Sequence, residues 1–160
     1  MNDPAPIPIT PILVADLHIE GERMPVYVHV IDHPDGRVLV ATGMTELHPL
    51  LADMDPHLWP LSEQDIDLTG IDIVVNTHLH ADHCGGNHLF AGKPIYVQRR
   101  ELDDARSQDD YSIREWVEPP GVRYLPSWSG SSTSTSRGAR DPRARGAGPA
   151  ARRPPSGGQR

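Results

Sequence analysis

Asp72-Ile73-Val74-Val75-Asn76-Thr77-His78-Leu79-His80-Ala81-Asp82-His83-Cys84-Gly85-Gly86 carries the decisive reading of this chain. Its first part, Asp72-Ile73-Val74-Val75, is an uninterrupted apolar run, the pattern of a strand covered on both faces. Directly after it, three histidines and one aspartate fall within six residues: His78, His80, Asp82 and His83. Loops at strand ends are where side chains leave the core and converge on a ligand. In extended backbone His78 and His80 project to one side, with Leu79 anchored on the other. Neutral imidazole and carboxylate are the donors that suit borderline divalent ions such as zinc. A turn after Ala81 lets Asp82 and His83 address a second position a few ångströms away. Gly85-Gly86 then allows a close backbone approach or a positive φ as the chain enters its next element. The bland alternative, a solvated loop rich in histidine by accident, leaves the strand–loop–glycine context without a reason.

Outward from the motif, strands and helices alternate. Residues 12–19 and 26–31 are β-rich, and in the second run Val26, Val28 and Val30 face one way while Tyr27, His29 and Ile31 face the other. His33-Pro34-Asp35-Gly36 is a turn signal before Arg37-Val38-Leu39-Val40-Ala41, which predicts a hairpin. Pro49 and Pro56 break residues 44–59 into a short helix and loop. Residues 94–97 and 122–125 read as further strands. Residues 98–106 start a helix, with Glu101, Asp103 and Asp104 expected on its solvent side. The order predicts sheet packed against helices, of α/β or α+β class.

Composition divides the chain near residue 125. Residues 1–125 hold 8 Lys/Arg against 21 Asp/Glu, a formal charge of −13, whereas residues 126–160 hold 7 Arg and only Asp141, a charge of +6. From Pro126 onward the apolar content is Trp128 and five alanines. Such a segment buries too little surface to offset the entropy of ordering it, so 126–160 is expected to be a disordered Arg/Ser/Gly/Pro-rich tail. Three origins compete for it: a flexible extension, a nucleic-acid-binding arm, or a GC-rich coding strand read out of frame. A single aromatic residue and the acidic body argue against the nucleic-acid arm. No stretch approaches the roughly 20 consecutive apolar residues of a membrane span. The start, Met1-Asn2-Asp3-Pro4, lacks the features of a secretory signal. The lone Cys84 forms no internal disulfide, which predicts a reducing, cytoplasmic setting.

The segment His78-Leu79-His80-Ala81-Asp82-His83 after a buried strand resembles the His-x-His-x-Asp-His signature of the metallo-β-lactamase superfamily. The resemblance covers about residues 10–125. It implies an αββα sandwich of α+β class, of which this chain carries the N-terminal half. It also implies that His78 and His80 bind one zinc and that Asp82 and His83 bind a second. Water activated by the metals then attacks a carbonyl carbon, and Asp82 manages the proton that goes to the leaving group. Two flanking segments, Val38-Leu39-Val40-Ala41-Thr42-Gly43-Met44 and Pro94-Ile95-Tyr96-Val97-Gln98-Arg99-Arg100-Glu101, look like the quorum-quenching lactonases that open N-acyl homoserine lactones. Glyoxalase-II-like thioesterases and arylsulfatase-like relatives share the core signature.

Two departures accompany the likeness. The family usually carries aspartate where Ala41 stands, a carboxylate that supports the site from behind. It also draws further ligands from a C-terminal half, yet no histidine follows His88 here. Two functional expectations therefore stand side by side: a zinc-dependent hydrolase of a small-molecule lactone or other ester, or a truncated, non-catalytic half-fold that binds metal weakly. A sheet without its partner layer exposes an apolar face, which favours a homo-oligomer. His18, His29, His33, His48 and His57 lack ligand spacing with one another and are expected to be ordinary strand and loop residues. His88 is expected on a helix face, Cys84 as a buried thiol, and Asp109-Asp110 as solvated.

Overall fold

A computed structural model describes residues 5–127 of the chain. Strand β1 (Ile9–Ile19) turns through Glu20-Gly21 into β2 (Glu22–His33). Both turn residues have positive φ, 53° and 84°, as the twist of a two-residue hairpin demands. β2 returns through Pro34-Asp35 into β3 (Gly36–Val40), with His33 opposite Gly36, so the hairpin expected from the sequence forms in that register. The short β4 (His57–Leu58) pairs with the outer side of β1. On the other side β5 (Ile73–Val75), β6 (Ile95–Gln98) and β7 (Tyr124–Ser127) follow β3 in parallel. The result is one mixed sheet ordered β4-β1-β2-β3-β5-β6-β7. β7 runs to Ser127, two residues past the compositional boundary, because Pro126 and Ser127 still pair with Val97 and Gln98. From residue 128 onward the expected tail lies outside the described residues.

Parallel strands need long crossovers: β3 reaches β5 through 3-10 turns and β4, and the later crossovers are helical. After β5 come α1 (Ala81–Cys84) and a 3-10 turn over Asn87–Phe90; after β6 come α2 (Arg99–Ser107) and α3 (Arg114–Val117). One row of side chains crosses the sheet beneath them through the register Val30–Leu39–Val74–Ile95 and is almost fully buried. Val26 and Val28 share that burial, as their alternation predicts. Together with helices on one face, this is the α+β class.

The opposite face differs. Ile31, Val38, Ile73, Val75 and Tyr96 are half-buried, and Tyr27 is 43% exposed. The expectation that residues 72–75 are covered on both faces is therefore met on the Val74 face only, the face of Ile73 and Val75 being half-buried. The buried clusters that include the helices draw on the Val74 side of the sheet. An uninterrupted apolar run reports what a strand can bury, and here the layer packed by the described residues covers one side. No helix among the described residues is long and apolar enough to cross a membrane.

Candidate metal centre

The motif begins where β5 ends. Leu79 is fully buried in a small cluster with Cys84, Val97, Leu102, Ala105 and Val117. Anchoring Leu79 turns its two neighbours outward: His78 is half-buried, His80 is exposed, and their rings stand 4.8 Å apart edge to face. The turn expected after Ala81 is the single-turn helix α1. His80 stands at its N-terminal boundary, and its carbonyl accepts from the amides of His83 (2.9 Å) and Cys84 (3.0 Å). That turn swings His83 back over His78, with ring centres 4.2 Å apart.

Donor atoms of His78, Asp82 and His83 lie within 4.8 Å of one another. His80 remains beside this trio, its ring also 4.9 Å from Tyr111. The motif thus delivers one tight group of three donors plus a flanking histidine. His83 Nε2 lies 3.2 Å from Asp82 Oδ2, whereas His83 Nδ1 is buried with no partner among the described residues. Leaving a buried ring nitrogen unsatisfied costs about 1–3 kcal/mol. The Thr77 hydroxyl lies 3.0 Å from His78 Nδ1, a contact of the kind that fixes the orientation of a ligand ring. A His–Asp–His donor set gathered within 4.8 Å fits a divalent ion of the zinc class.

A buried polar scaffold holds the motif from behind. The Thr42 amide donates to the His83 carbonyl at 2.8 Å, and Asn76 Nδ2 donates to the same oxygen at 3.2 Å. Asn87 Nδ2 donates to Asn76 Oδ1 (3.0 Å) and to the Tyr124 hydroxyl (2.9 Å), which itself donates to the Val117 carbonyl at 2.5 Å. The network ties the connections that follow β3 and β5 to the end of α3 and the first residue of β7. It requires Gly86, where an added Cβ would stand 2.5 Å from the Thr42 carbonyl oxygen. Of the two uses expected for Gly85-Gly86, close approach is the one realised, since φ is −58° and −89° there. Ala41, at the position where aspartate was expected from the resemblance, is buried with φ 62°, in the left-handed region.

Glu101 corrects the sequence reading. It faces inward, its Oε1 accepting from the Leu79 amide at 2.7 Å and from the Tyr111 hydroxyl at 2.5 Å. Leu102 and Ala105 are the buried stripe of α2, and Glu101 sits on the flank of that stripe, four residues before Ala105. A simple polar-outward rule misses such a position. Asp103 is exposed, as expected.

The electrostatics suit metal binding. Burial lowers the pKa of His78, and the nearby His83 and His80 lower it further, so the ring is neutral and its lone pair available near pH 7. For Asp82 burial acts upward, but the hydrogen bond and charge of His83, a backbone N–H and His78 together hold the carboxyl below its ordinary value. Asp82 is therefore a carboxylate at neutral pH. Burial, then the Glu101 hydrogen bond, pushes Tyr111 up to about 12. A cleft of about 510 Å³ opens beside the trio: His80, Asp82 and Tyr111 lie at its polar end, with Leu17, Met44, Leu50, Leu51, Met54 and Ile113 among its apolar walls. Exposed Asp109 and Asp110 lie on its rim. His88 is exposed, its Nδ1 3.1 Å from the Gly85 carbonyl, and Cys84 is buried.

Sequence spacing missed a second gathering of donors. His18 on β1, His57 on β4 and Asp55 between them bring ligand atoms within 4.8 Å of one another. Their separation of nearly forty residues in sequence is closed by the β1–β4 ladder, for which no local signal exists. His48 accepts from the Leu50 amide at 3.2 Å and stacks edge-on against Trp116; His33 accepts from Asp35 in its turn.

Residues 21–154 match the family model of the metallo-beta-lactamase superfamily, and the chain belongs to that superfamily. Among curated relatives, an N-acyl homoserine lactonase of Bacillus cereus is 26% identical over 114 residues, 61% of this chain and 45% of the relative. The lactonase AttM of Azorhizobium caulinodans is 28% identical over 126 residues, 64% of this chain and 46% of the relative. The chain thus spans about half the length of the curated relatives it matches. Among solved structures, a Bacillus thuringiensis AiiA variant with N-decanoyl-L-homoserine at its active site superposes with TM-score 0.57 and 21% identity, covering 75% of this chain and 58% of that one. An N-acyl homoserine lactone hydrolase with its product at the catalytic metal center gives the same TM-score, identity and coverage. These likenesses establish the fold.

Proposed function

We propose that the chain binds zinc through His78, His80, Asp82 and His83 and that this centre serves hydrolysis of a lactone or another small ester. The observation that carries the reading is the convergence of His78, Asp82 and His83, with His83 Nε2 3.2 Å from Asp82 Oδ2, beside an apolar-walled cleft. Bound zinc supplies Lewis acidity and lowers the pKa of water toward ~7. The protein contributes the rest. The apolar walls hold a hydrocarbon arm and exclude water from it. Asp82, ionised at neutral pH, accepts the proton released by the attacking water and passes it to the departing alkoxide oxygen. Leu79 and Glu101 keep the loop from shifting. The lactonases among the relatives favour a cyclic ester with an acyl arm as the substrate class.

One observation favours a second reading, metal binding without turnover: the motif converges into one three-donor group, while a two-metal site needs more donors, and no histidine follows His88. Zinc content and N-hexanoyl homoserine lactone turnover, measured on the purified full chain and on His83→Ala and Asp82→Asn, separate the two. Zinc retained by the full chain, with turnover lost in both variants, supports the hydrolase. Zinc retained without turnover selects the second reading, and no zinc retained at all refutes both.

A further inference from the structure

We propose that His18, Asp55 and His57 form a second divalent-cation site, separate from the motif, which clamps the 3-10 turn Pro49–Met54 to the edge of the sheet. The inference does not depend on the hydrolase reading. Three donors from three elements converge there: His18 late in β1, Asp55 just past the 3-10 turn, and His57 at the start of β4. His18 Nδ1 lies 3.4 Å from Asp55 Oδ2, and the His18 and His57 rings meet edge to face with centres 5.3 Å apart. An ion pair accounts for His18 and Asp55, and the β1–β4 ladder brings His57 to the same place as a third donor.

The backbone is arranged for the convergence. Asp16 pairs directly with His57 in the β1–β4 ladder, so His18, two residues on, shares its face of β1. Asp55 reaches the site from a left-handed conformation, φ 41° and ψ 58°, one that Asp and Asn adopt at lower cost than other residues with a Cβ. Asp16 itself is engaged by Arg23 through its Oδ2 and stays outside the donor group.

The donor chemistry names the cation. Two imidazoles and a carboxylate with an open fourth position suit zinc, and tetrahedral zinc with bonds of about 2.1 Å sets its donors ~3.4 Å apart. The group is therefore at most about 1.4 Å too open, within reach of side-chain rotations, because Asp55 is 77% exposed and His57 lies at the surface. Closure would tie the 3-10 turn to β1 at a point where Leu17 and Met54, chain neighbours of His18 and Asp55, line the cleft beside the motif.

The test uses the full chain, freed of metal by chelation and titrated with zinc. His78→Gln/His83→Gln disables the motif, so that any response at the second site is read alone. In that variant zinc is expected to shift the imidazole resonances of His18 and His57 and to slow amide exchange at Asp55 and Trp59, whose amides donate to Ala52 and Val14. Asp55→Asn/His57→Gln keeps the left-handed residue and both surface positions polar; it is expected to bind one zinc fewer per chain than the unaltered protein. Unshifted His18 and His57 resonances at tenfold zinc excess overturn the site, as does unchanged stoichiometry in Asp55→Asn/His57→Gln. Shifts without slower exchange overturn the clamp.

Discussion

Replacing Glu101 by alanine removes a carboxylate that holds the motif loop from outside it. Glu101 Oε1 accepts two hydrogen bonds, from the Leu79 amide at 2.7 Å and the Tyr111 hydroxyl at 2.5 Å, and both are partly shielded from water. A hydrogen bond to a charged group contributes about 1.5–3 kcal/mol. Taking the low end of that range for each of two half-shielded bonds gives about 3 kcal/mol. Losing an acidic residue from the first turn of α2 adds roughly 0.5 kcal/mol, which the better helix propensity of alanine offsets. For a folded unit of this size, about 3 kcal/mol is a fall of roughly 10 °C in Tm. The loss should appear in urea titrations as a lower midpoint with an unchanged slope. Glu101→Gln keeps the acceptor and loses the charge, so it should cost about half as much. Tyr111→Phe removes one donor only, and the double variant with Glu101→Ala should show a coupling of at least about 0.5 kcal/mol. The Leu79 amide lies between His78 and His80, so zinc affinity should fall 10- to 100-fold in Glu101→Ala, the range seen when a partner of a metal ligand is removed. Asp103→Ala, on the exposed side of the same helix, serves as the control. If Glu101→Ala stays within 0.5 kcal/mol of the parent and binds zinc as tightly, the carboxylate does not position the loop and the reasoning fails.

Gly86→Ala should destabilise by about 3 kcal/mol, because the new Cβ meets a backbone carbonyl at 2.5 Å rather than a side chain that can move aside; denaturant titration measures it, and a loss under 0.5 kcal/mol would show that the Thr42 loop yields freely. Cys84, fully buried and raised by that burial to about 12, should resist a thiol reagent at pH 8 until denaturant is added; rapid labelling of the native protein would contradict its burial. The same shift fixes a sign for pH dependence: the thiol ionises ordinarily at 9.0 and in the fold near 12, so the unfolded state binds fewer protons between those values and stability falls as pH rises through that window. Cys84→Ala should flatten that alkaline limb, and an unaltered limb would assign it to other groups. Tyr124→Phe strands the Val117 carbonyl and an Asn87 donor and should cost about 1–2 kcal/mol, with the largest loss of amide protection around Asn76 and Asn87; uniform loss across the sheet would count against a local network.

The amino-acid sequence by itself determined the local features. The alternation of Val26, Val28 and Val30, the turn chemistry at Pro34-Asp35, and the spacing of His78, His80, Asp82 and His83 after an apolar run each act over a few residues. Backbone geometry converts such spacings directly into a face, a hairpin or a donor loop. What the spacing left open was settled by tertiary contact. That His83 folds back against His78 while His80 stays at the flank depends on burying Leu79 among Val97, Leu102 and Val117, residues from three later elements. Glu101 turns inward because an amide across the gap between α2 and the motif loop needs an acceptor, a demand invisible in the helix's own pattern. His18, Asp55 and His57 meet only because a two-residue strand closes the sheet edge. Gly86 shows both levels at once: the chain supplies a residue without a Cβ, and only the approach of the Thr42 carbonyl, forty-four residues away in sequence, decides what that freedom is for.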